Sequence, residues 1–463
     1  MNYDVYPMST LPPVIAASAL YDSFLQAALR RFFDRATLET EAIPSVSSDG
    51  QLAIESTTDP CALTVRWFGM RYMLRVPPRR PFSAHETRFA KAIGSVLAAR
   101  FRAILSRQFM VERGELFRGA IEDRYVGAFL DEVPYGLGSQ ENRADRIASA
   151  IEVLRVAALS SYENRPISTG VLMLSTDDDP VRPHPVALAN AHMYSQTLTT
   201  IKSFYRLVDG VHTVFLLNRD GVLVDLIDLD HWGSELARGA EPRVPCSGTY
   251  LPHARATLGG KHVAVVLSPS HEVKVFAEGA QVLTFRGGNW HLLDLQAKYD
   301  MWVEAVGEPR LAQRLFQTAL DLADAREGAL FVVLRDPDSA VPQLVAPADR
   351  LDLESAADLQ AAGVPSRRDL LYLLTGRTAI DLEPTLMSAL ASMDGAIVMD
   401  RHGRLLAGGA ILRHPASADV GGGWAVEGAR TTAAMAASRF GPVLKVSEDG
   451  VITFFDGERI WDI

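Results

Sequence analysis

An aspartate near the end of the chain stands where a predicted strand begins, and its neighbours suit metal and phosphate chemistry. Asp394 is followed by Gly395 and Ala396, immediately before apolar residues typical of a strand. A carboxylate beside backbone that a ligand can approach closely suits Mg²⁺ or Mn²⁺ held next to phosphates. The triplet is common, however, and by itself an aspartate in a turn is the simpler interpretation.

A second stretch with suitable chemistry is Gly428-Ala429-Arg430-Thr431-Thr432, which precedes a helix of small residues through Ala437. Gly428 allows a ligand to approach closely, and Arg430 can bind a phosphate through two parallel hydrogen bonds. The threonine hydroxyls and the start of the helix provide further donors to anionic oxygen. Ser447 and Glu448 then form a polar pair at a strand end, where they could contact a base or a ribose.

The elements that must position these residues follow an α/β pattern. Apolar residues at helical spacing from Leu311 to Ala323 predict an amphipathic helix, and the apolar run 328–334 predicts a buried strand directly after it. A second predicted helix, 383–391, ends just before Asp394. The predicted fold class is therefore α/β, in the mixed α+β sense.

Four short motifs, in this order and at these separations, resemble the diadenylate cyclase family: Gly328-Ala329-Leu330, Asp394-Gly395-Ala396, Gly428-Ala429-Arg430 and Val446-Ser447-Glu448. The similarity covers residues 299–463. It implies a mixed sheet flanked by helices and an enzyme that condenses two ATP molecules into cyclic di-AMP. It also implies a divalent metal ion, Mg²⁺ or Mn²⁺, and a homo-oligomer in which two cyclase domains meet head to head.

The resemblance also implies a role for individual residues. Asp394 would bind the metal ion and help to activate the ribose 3′-hydroxyl, and Arg430 would face phosphate, which makes these two the predicted catalytic residues. The predicted nucleotide-binding residues are Gly395, Ala396, Gly428, Ala429, Thr431, Thr432, Ser447 and Glu448.

One motif departs from the family pattern. The stretch that reads Gly-Thr-Arg-His-Arg in the family is Gly428-Ala429-Arg430-Thr431-Thr432 here, so two cationic donors to phosphate are missing. Two hypotheses remain open. The chain is an active cyclase regulated by its N-terminal region, or it has a catalytically degenerate cyclase fold that serves as a nucleotide-binding sensor or assembly module. An unrelated hydrolase has no support, because Gly-x-Ser-x-Gly and His-Glu-x-x-His motifs do not occur.

An internal repeat organises the rest of the chain. The segment 214–224 parallels 396–406, and both read as a strand, a tight turn ending in glycine and a second strand. The segments 263–267 and 272–276 parallel 443–446 and 451–455 in the same order. Residues 166–298 are therefore predicted to form a regulatory middle domain, a degenerate cyclase-like repeat with His212 in the position of Asp394.

The first part of the chain predicts a small α/β domain, residues 1–110, followed by a helical connector, residues 111–165. A β-hairpin is predicted within 63–76, and a helix over 84–105 follows the capping-box residues Ser83 and Glu86. This order resembles the end of a GAF-type sensor domain. An α/β scaffold without a ligand explains it equally well.

Composition limits the function classes further. The 463 residues are 48% hydrophobic and carry a net charge of -10, without the basic stripe that nucleic acid or an anionic membrane would attract. Cys61 and Cys246 lack the paired spacing of a zinc site or disulfide framework. Without an apolar span or export signal, we expect a cytoplasmic protein that binds ATP and neither nucleic acid nor membrane.

Three aspartates, Asp177 to Asp179, precede Pro180 and predict a solvated turn.

Overall fold

The computed structural model describes residues 13–33, 36–43, 52–131, 135, 143–162, 165–175, 192–201, 204–237, 239–259, 261–351, 370–413 and 428–463. The chain forms two compact units, one from Met1–Glu241 with Pro252–Asp294 and one from Pro242–Leu251 with Leu295–Ile463. The three aspartates with the predicted turn lie outside the described residues. Helices and mixed sheets give the α/β architecture that the sequence predicts.

The first unit contains two main sheets and several helices. Its helices are α1 (Pro13–Phe32), α2 (Ala84–Leu105), α3 (Arg107–Glu112), α4 (Ile121–Leu130), α5 (Arg143–Ala158), α6 (Phe204–Leu207), α7 (Leu229–Ala237) and α8 (Leu251–Ala256). An antiparallel sheet in the order β1-β4-β3-β2 consists of β1 (Thr37–Ala42), β2 (Ala53–Ser56), β3 (Ala62–Trp67) and β4 (Met70–Arg75). A short hairpin follows, β5 (Ser161–Tyr162) with β6 (Arg165–Pro166).

The second sheet of this unit has seven strands. They are β7 (Thr169–Met173), β8 (Thr213–Leu217), β9 (Leu223–Asp228), β10 (Val263–Leu267), β11 (Val273–Ala277), β12 (Ala280–Arg286) and β13 (Asn289–Leu292). The strand order is β13-β12-β11-β10-β7-β8-β9. Strand β7 is parallel to β8 and antiparallel to β10, which makes the sheet mixed.

Local signals near the N-terminus produce the predicted elements. The hairpin β3-β4 turns at Gly69, whose φ of 74° favours glycine. Helix α2 begins after Ser83, whose Oγ accepts a hydrogen bond from the Glu86 amide at 3.0 Å. The Glu86 carboxylate accepts one from the Ser83 amide at 3.1 Å, so the predicted capping box is confirmed.

One hydrophobic core joins both sheets of the first unit to its helices. Trp67, Phe89, Phe129, Val265 and Trp290 are each no more than 2% exposed and belong to the same buried cluster. Helices α4 and α5, predicted as a connector, bury one face in this core. Residues of all three predicted segments, 1–110, 111–165 and 166–298, therefore contribute to this buried cluster, because the amphipathic faces of the helices need apolar partners.

The second unit is built on a six-stranded sheet. Its helices are α9 (Leu295–Val306), α10 (Pro309–Ala325), α11 (Pro337–Leu344), α12 (Pro384–Ala391) and α13 (Ala429–Ala437). Its strands are β14 (Ala329–Leu334), β15 (Ala396–Asp400), β16 (Leu405–Ala410), β17 (Val443–Val446), β18 (Ile452–Phe455) and β19 (Arg459–Asp462). They lie in the order β16-β15-β14-β17-β18-β19, with β14 and β15 parallel and every other neighbouring pair antiparallel.

The two mixed sheets repeat one strand pattern, and the hairpins that the internal repeat predicts are present. In each sheet a central strand, β7 or β14, has a parallel neighbour that begins a hairpin, β8-β9 or β15-β16. On its other side the central strand has an antiparallel neighbour that begins a second hairpin, β10-β11 or β17-β18. Among the described residues, no helix has the length and apolar composition required to cross a bilayer.

Candidate functional site

The topology of the second unit brings the four sequence motifs to one edge of its sheet. Because β14 and β15 are parallel, both begin at this edge, and Asp394 and Gly328 precede their first residues. Strand β17 is antiparallel to β14, so its last residue, Val446, pairs with Ala329 at the start of β14. Ser447 therefore leaves the sheet at the edge where the other two strands begin.

Arg430, in the first turn of α13, joins the carboxylates of two motifs. Its Nη1 lies 2.8 Å from Oε1 of Glu448, and its Nη2 lies 3.9 Å from Oδ1 of Asp394. The side chains of Asp394 and Glu448 are 97% and 72% exposed, so water screens both ion pairs. The arrangement orients the guanidinium and contributes little to stability. Both carboxylates remain accessible to a ligand.

Gly328 provides the space in which this arginine lies. A Cβ atom at Gly328 would stand 2.2 Å from Nη1 of Arg430, well inside van der Waals contact. The glycine at the start of β14 thus lets the guanidinium cross the strand entrance. Two motifs that are distant in sequence therefore make one structural feature.

A hairpin turn places Glu448. The Ser447 amide donates to the carbonyl of Val451 at 2.9 Å, and the Gly450 amide donates to the carbonyl of Ser447 at 2.9 Å. Gly450 has a φ of 81°, a left-handed conformation that glycine adopts without strain. The β17-β18 turn therefore holds Glu448 toward the first turn of α13.

A cavity of about 730 Å³ lies beside this ion pair, within the size range of small-molecule sites. It lies between the start of α13 and the β17-β18 hairpin, and Gly428, Ala429, Arg430, Thr431, Ser447 and Glu448 are among its lining residues. Six of the predicted site residues therefore share one cavity.

The cavity also contains residues that sequence reasoning missed. Lys445 and Arg459 add two cations to Arg430, and Asp449 adds a carboxylate to Glu448. Arg459 Nε lies 2.9 Å from both carboxylate oxygens of Asp462. The sequence feature that could have indicated Lys445 is its position as the single charged residue in an otherwise apolar strand. It is partly exposed between the buried Leu444 and Val446, as strand alternation requires.

The remaining predicted site residues lie around the cavity in different environments. Gly395 has a φ of 106°, and a Cβ there would stand 2.4 Å from the Gly409 backbone, so the approach of β16 requires this glycine. Ala396 is fully buried in the core of the second unit. Thr431 is 8% exposed, whereas Thr432 is exposed on the outside of α13. Asp394, Gly395, Ala396 and Thr432 are not among the described residues that line the cavity.

The carboxylates fit a divalent cation only if a ligand contributes oxygen atoms. In the part of the chain that the structure describes, no group of three or more His, Cys, Asp or Glu side chains is arranged to hold a metal ion. Asp394 offers one accessible carboxylate, and Mg²⁺ commonly binds one or two carboxylates together with substrate phosphates and water. The chemistry of Asp394 therefore suits a metal ion that arrives with a nucleotide.

The matching position in the first unit has different chemistry. His212, which stands in place of Asp394, is exposed, and its Nδ1 lies 3.5 Å from Oδ2 of Asp230. Nearby, His253 is fully buried, and its Nε2 lies 2.8 Å from the carbonyl oxygen of Gly210. Burial lowers the pKa of His253 to about 4, so it is neutral at physiological pH. This buried, hydrogen-bonded histidine therefore has a structural role.

Comparison with known proteins leaves the family of this chain open. No family model matches it, and no curated protein matches it. A solved structure described as a hypothetical membrane spanning protein from Bacillus cereus is similar, with 18% sequence identity and a TM-score of 0.24. The similarity covers 36% of this chain and 71% of that chain. A TM-score this low supports no argument about fold or function.

Proposed function

We propose that the second unit is a diadenylate cyclase domain that condenses two ATP molecules into cyclic di-AMP, in the cytoplasm where ATP is available. The observation that carries the proposal is the contact between Arg430 and Glu448 in the lining of a cavity of about 730 Å³, with Asp394 3.9 Å from the same guanidinium. These residues come from three of the four motifs that resemble the cyclase family. Gly328, from the remaining motif, makes room for Arg430.

The proposed roles follow from the chemistry and position of each group. When ATP enters, Arg430 exchanges its carboxylate partners for phosphate oxygens, with which a guanidinium forms paired charge-assisted hydrogen bonds. The backbone of Gly428 and Ala429 offers donors at the start of α13, where the helix dipole favours an anion. Ser447 and Glu448 contact the ribose or the base. Phosphoryl transfer depends mainly on such positioning and charge neutralisation.

Asp394 has two proposed roles. Its exposed carboxylate would hold Mg²⁺ or Mn²⁺ beside the phosphates, and that ion would neutralise charge on the triphosphate. The same carboxylate would orient the ribose 3′-hydroxyl and help to remove its proton, as the 3′-oxygen bonds to the α-phosphorus of the other ATP and pyrophosphate leaves. The backbone around Gly395 and Ala396 would shape the wall next to it. The resemblance to the cyclase family implies one nucleotide for each domain and two domains that meet head to head, so we propose a homo-oligomer regulated by the first unit.

A second candidate function is a nucleotide-binding sensor or assembly module without catalysis. The observation that favours it is the pair Thr431 and Thr432, which stand where the family has a histidine and an arginine. A lost cationic donor at developing phosphate charge commonly slows a reaction by roughly two to three orders of magnitude. The two functions share the same cavity and differ in turnover.

The deciding experiment incubates the full-length chain with ATP and MnCl₂ and identifies products by mass spectrometry. We expect a cyclic dinucleotide from the wild type and none from the folded Asp394→Asn variant. The matched control is Asp338→Asn, which changes an exposed aspartate in the first turn of α11, beyond the opposite end of β14. Full activity of Asp394→Asn would remove Asp394 from the mechanism. ATP binding without any release of pyrophosphate by the wild type would favour the sensor.

A further inference from the structure

Lys445, which belongs to none of the four motifs, lines the cavity and contacts Thr431, where the family pattern has a histidine. Lys445 lies in β17, with Leu330 of β14 and Thr453 of β18 as its cross-strand partners. Its two strand neighbours, Leu444 and Val446, are fully buried, and strand alternation places them on the opposite face from Lys445. Lys445 itself is partly exposed and lines the cavity beside the start of α13.

The ammonium group of Lys445 is anchored at the first turn of α13. Its Nζ donates a hydrogen bond to Oγ1 of Thr431 at 2.9 Å. Thr431 is buried at 8% exposure, so its hydroxyl is a fixed acceptor. This threonine stands in the position that the family pattern gives to histidine. The contact therefore brings a positive charge to the place where the sequence alone shows a loss of charge.

Lys445 lines the cavity together with the cations Arg430 and Arg459. Its ammonium group donates to the hydroxyl of Thr431, which is a neutral acceptor. An ammonium group has three donors and remains compatible with phosphate while it keeps a hydroxyl partner. Lys445 is therefore suited to bind a triphosphate without breaking its anchor.

We propose that Lys445 binds the triphosphate of the nucleotide and takes over the charge that Thr431 does not supply. Thr431 is the positioning residue that holds the ammonium group at the helix start. This inference rests on the proposed nucleotide site and adds a phosphate-binding residue to it. The ligand chemistry it predicts is a nucleoside triphosphate, whose negative charge the ammonium group recognises.

The test compares binding of a non-hydrolysable ATP analogue and of adenosine to the full-length chain by calorimetry. We expect Lys445→Met to weaken binding of the analogue by roughly 10- to 100-fold, the range for a charged hydrogen bond, and to leave adenosine within about 3-fold. Lys445→Arg should recover a large part of the loss. The matched control is Arg439→Met, because Arg439 is an exposed cation just beyond α13 that does not line the cavity.

A second variant keeps the test decisive if Lys445→Met is unstable. Thr431→Val removes the anchor and keeps the size of the side chain, so it should weaken binding of the analogue by roughly 3- to 10-fold, whereas Thr431→Ser should not. Equal affinity of the wild type and folded Lys445→Met for the analogue would overturn the inference and leave the nucleotide site standing. Failure of the wild type to bind either ligand would overturn both.

Discussion

Gly328 and Arg430 are complementary in shape, because a Cβ on the glycine would lie 2.2 Å from Nη1 of the arginine. The absent side chain allows the guanidinium to cross the start of β14 and reach Glu448 at 2.8 Å. Within the resemblance to diadenylate cyclases, these residues belong to two separate motifs. Their contact explains why a glycine is needed in the first motif: the protein's own Arg430 occupies the space that a side chain would fill.

Gly328→Ala should impair the site more than the fold. The new methyl group collides with the flexible end of Arg430, which can move away at little cost to the core, so we expect a small change in melting temperature. Loss of the oriented guanidinium should weaken binding of the ATP analogue by roughly 10-fold, or about 1.4 kcal/mol.

The control for this variant is Gly408→Ala in β16. A Cβ there meets its nearest atom, in the side chain of Leu371, at an ordinary distance of 3.5 Å. Gly408→Ala should therefore change neither the melting temperature nor the affinity appreciably. If Gly328→Ala binds the analogue as tightly as the wild type does, the orientation of Arg430 is irrelevant to binding.

Specific activity should increase with enzyme concentration when the protein is dilute. If each domain binds one nucleotide, as the proposed function requires, condensation of two ATP molecules needs two copies of the domain, and self-association becomes part of catalysis. Activity assays over a dilution series, with sedimentation measurements on the same samples, check this prediction. Constant specific activity in samples that are demonstrably monomeric would contradict it.

Restoring the family motif with Thr431→His and Thr432→Arg should not raise turnover. Thr431 is buried and accepts the hydrogen bond from Lys445, so a histidine there displaces the ammonium group from its anchor. Thr432 is exposed and does not line the cavity, so an arginine at that position should be tolerated. We therefore expect the double variant to be slower than the wild type and Thr432→Arg alone to be nearly neutral. A clear gain in turnover by the double variant would refute this explanation.

Stability of the first unit should depend on the protonation of His85. Interactions with Asp294, 3.4 Å away, and with Glu278, 3.6 Å away, raise the pKa of His85 from 6.5 to about 9. The same cluster, with His85 and Arg88, lowers the pKa of Glu278 to about 2. Because the folded pKa of His85 is raised, its contribution is complete below a pH of 6.5 and disappears as the pH rises through about 9.

The measurement is thermal unfolding of the wild type and His85→Gln at about pH 6 and at about pH 10. We expect the wild type to be the more stable at the lower pH and the difference between the two proteins to shrink at the higher pH. His231→Gln serves as the matched control, since His231 is an exposed residue of α7. A stability difference that does not change between the two pH values would show that the charge of His85 is unimportant.

Many individual elements could be predicted from local sequence patterns. The capping box of α2, the β3-β4 hairpin and the repeated hairpins depend on interactions between residues a few positions apart, so local sequence patterns are enough to predict them. The segment boundaries at 110 and 165 could not be predicted in this way. They depend on which apolar faces share a core, and contacts over long sequence separations determine that.

The residues of the candidate site also fall into those that local sequence patterns could predict and those that only the tertiary structure identifies. Asp394, Arg430 and Glu448 could be selected from residue type and motif order, because their chemistry is visible in the sequence. Lys445 could not, since its importance depends on the pairing of β17 with β14 and on the resulting contact with Thr431. Strand pairing depends on contacts between residues far apart in sequence and on packing of the whole sheet. The neighbours of a lysine between apolar residues can therefore be identified only in the folded sheet.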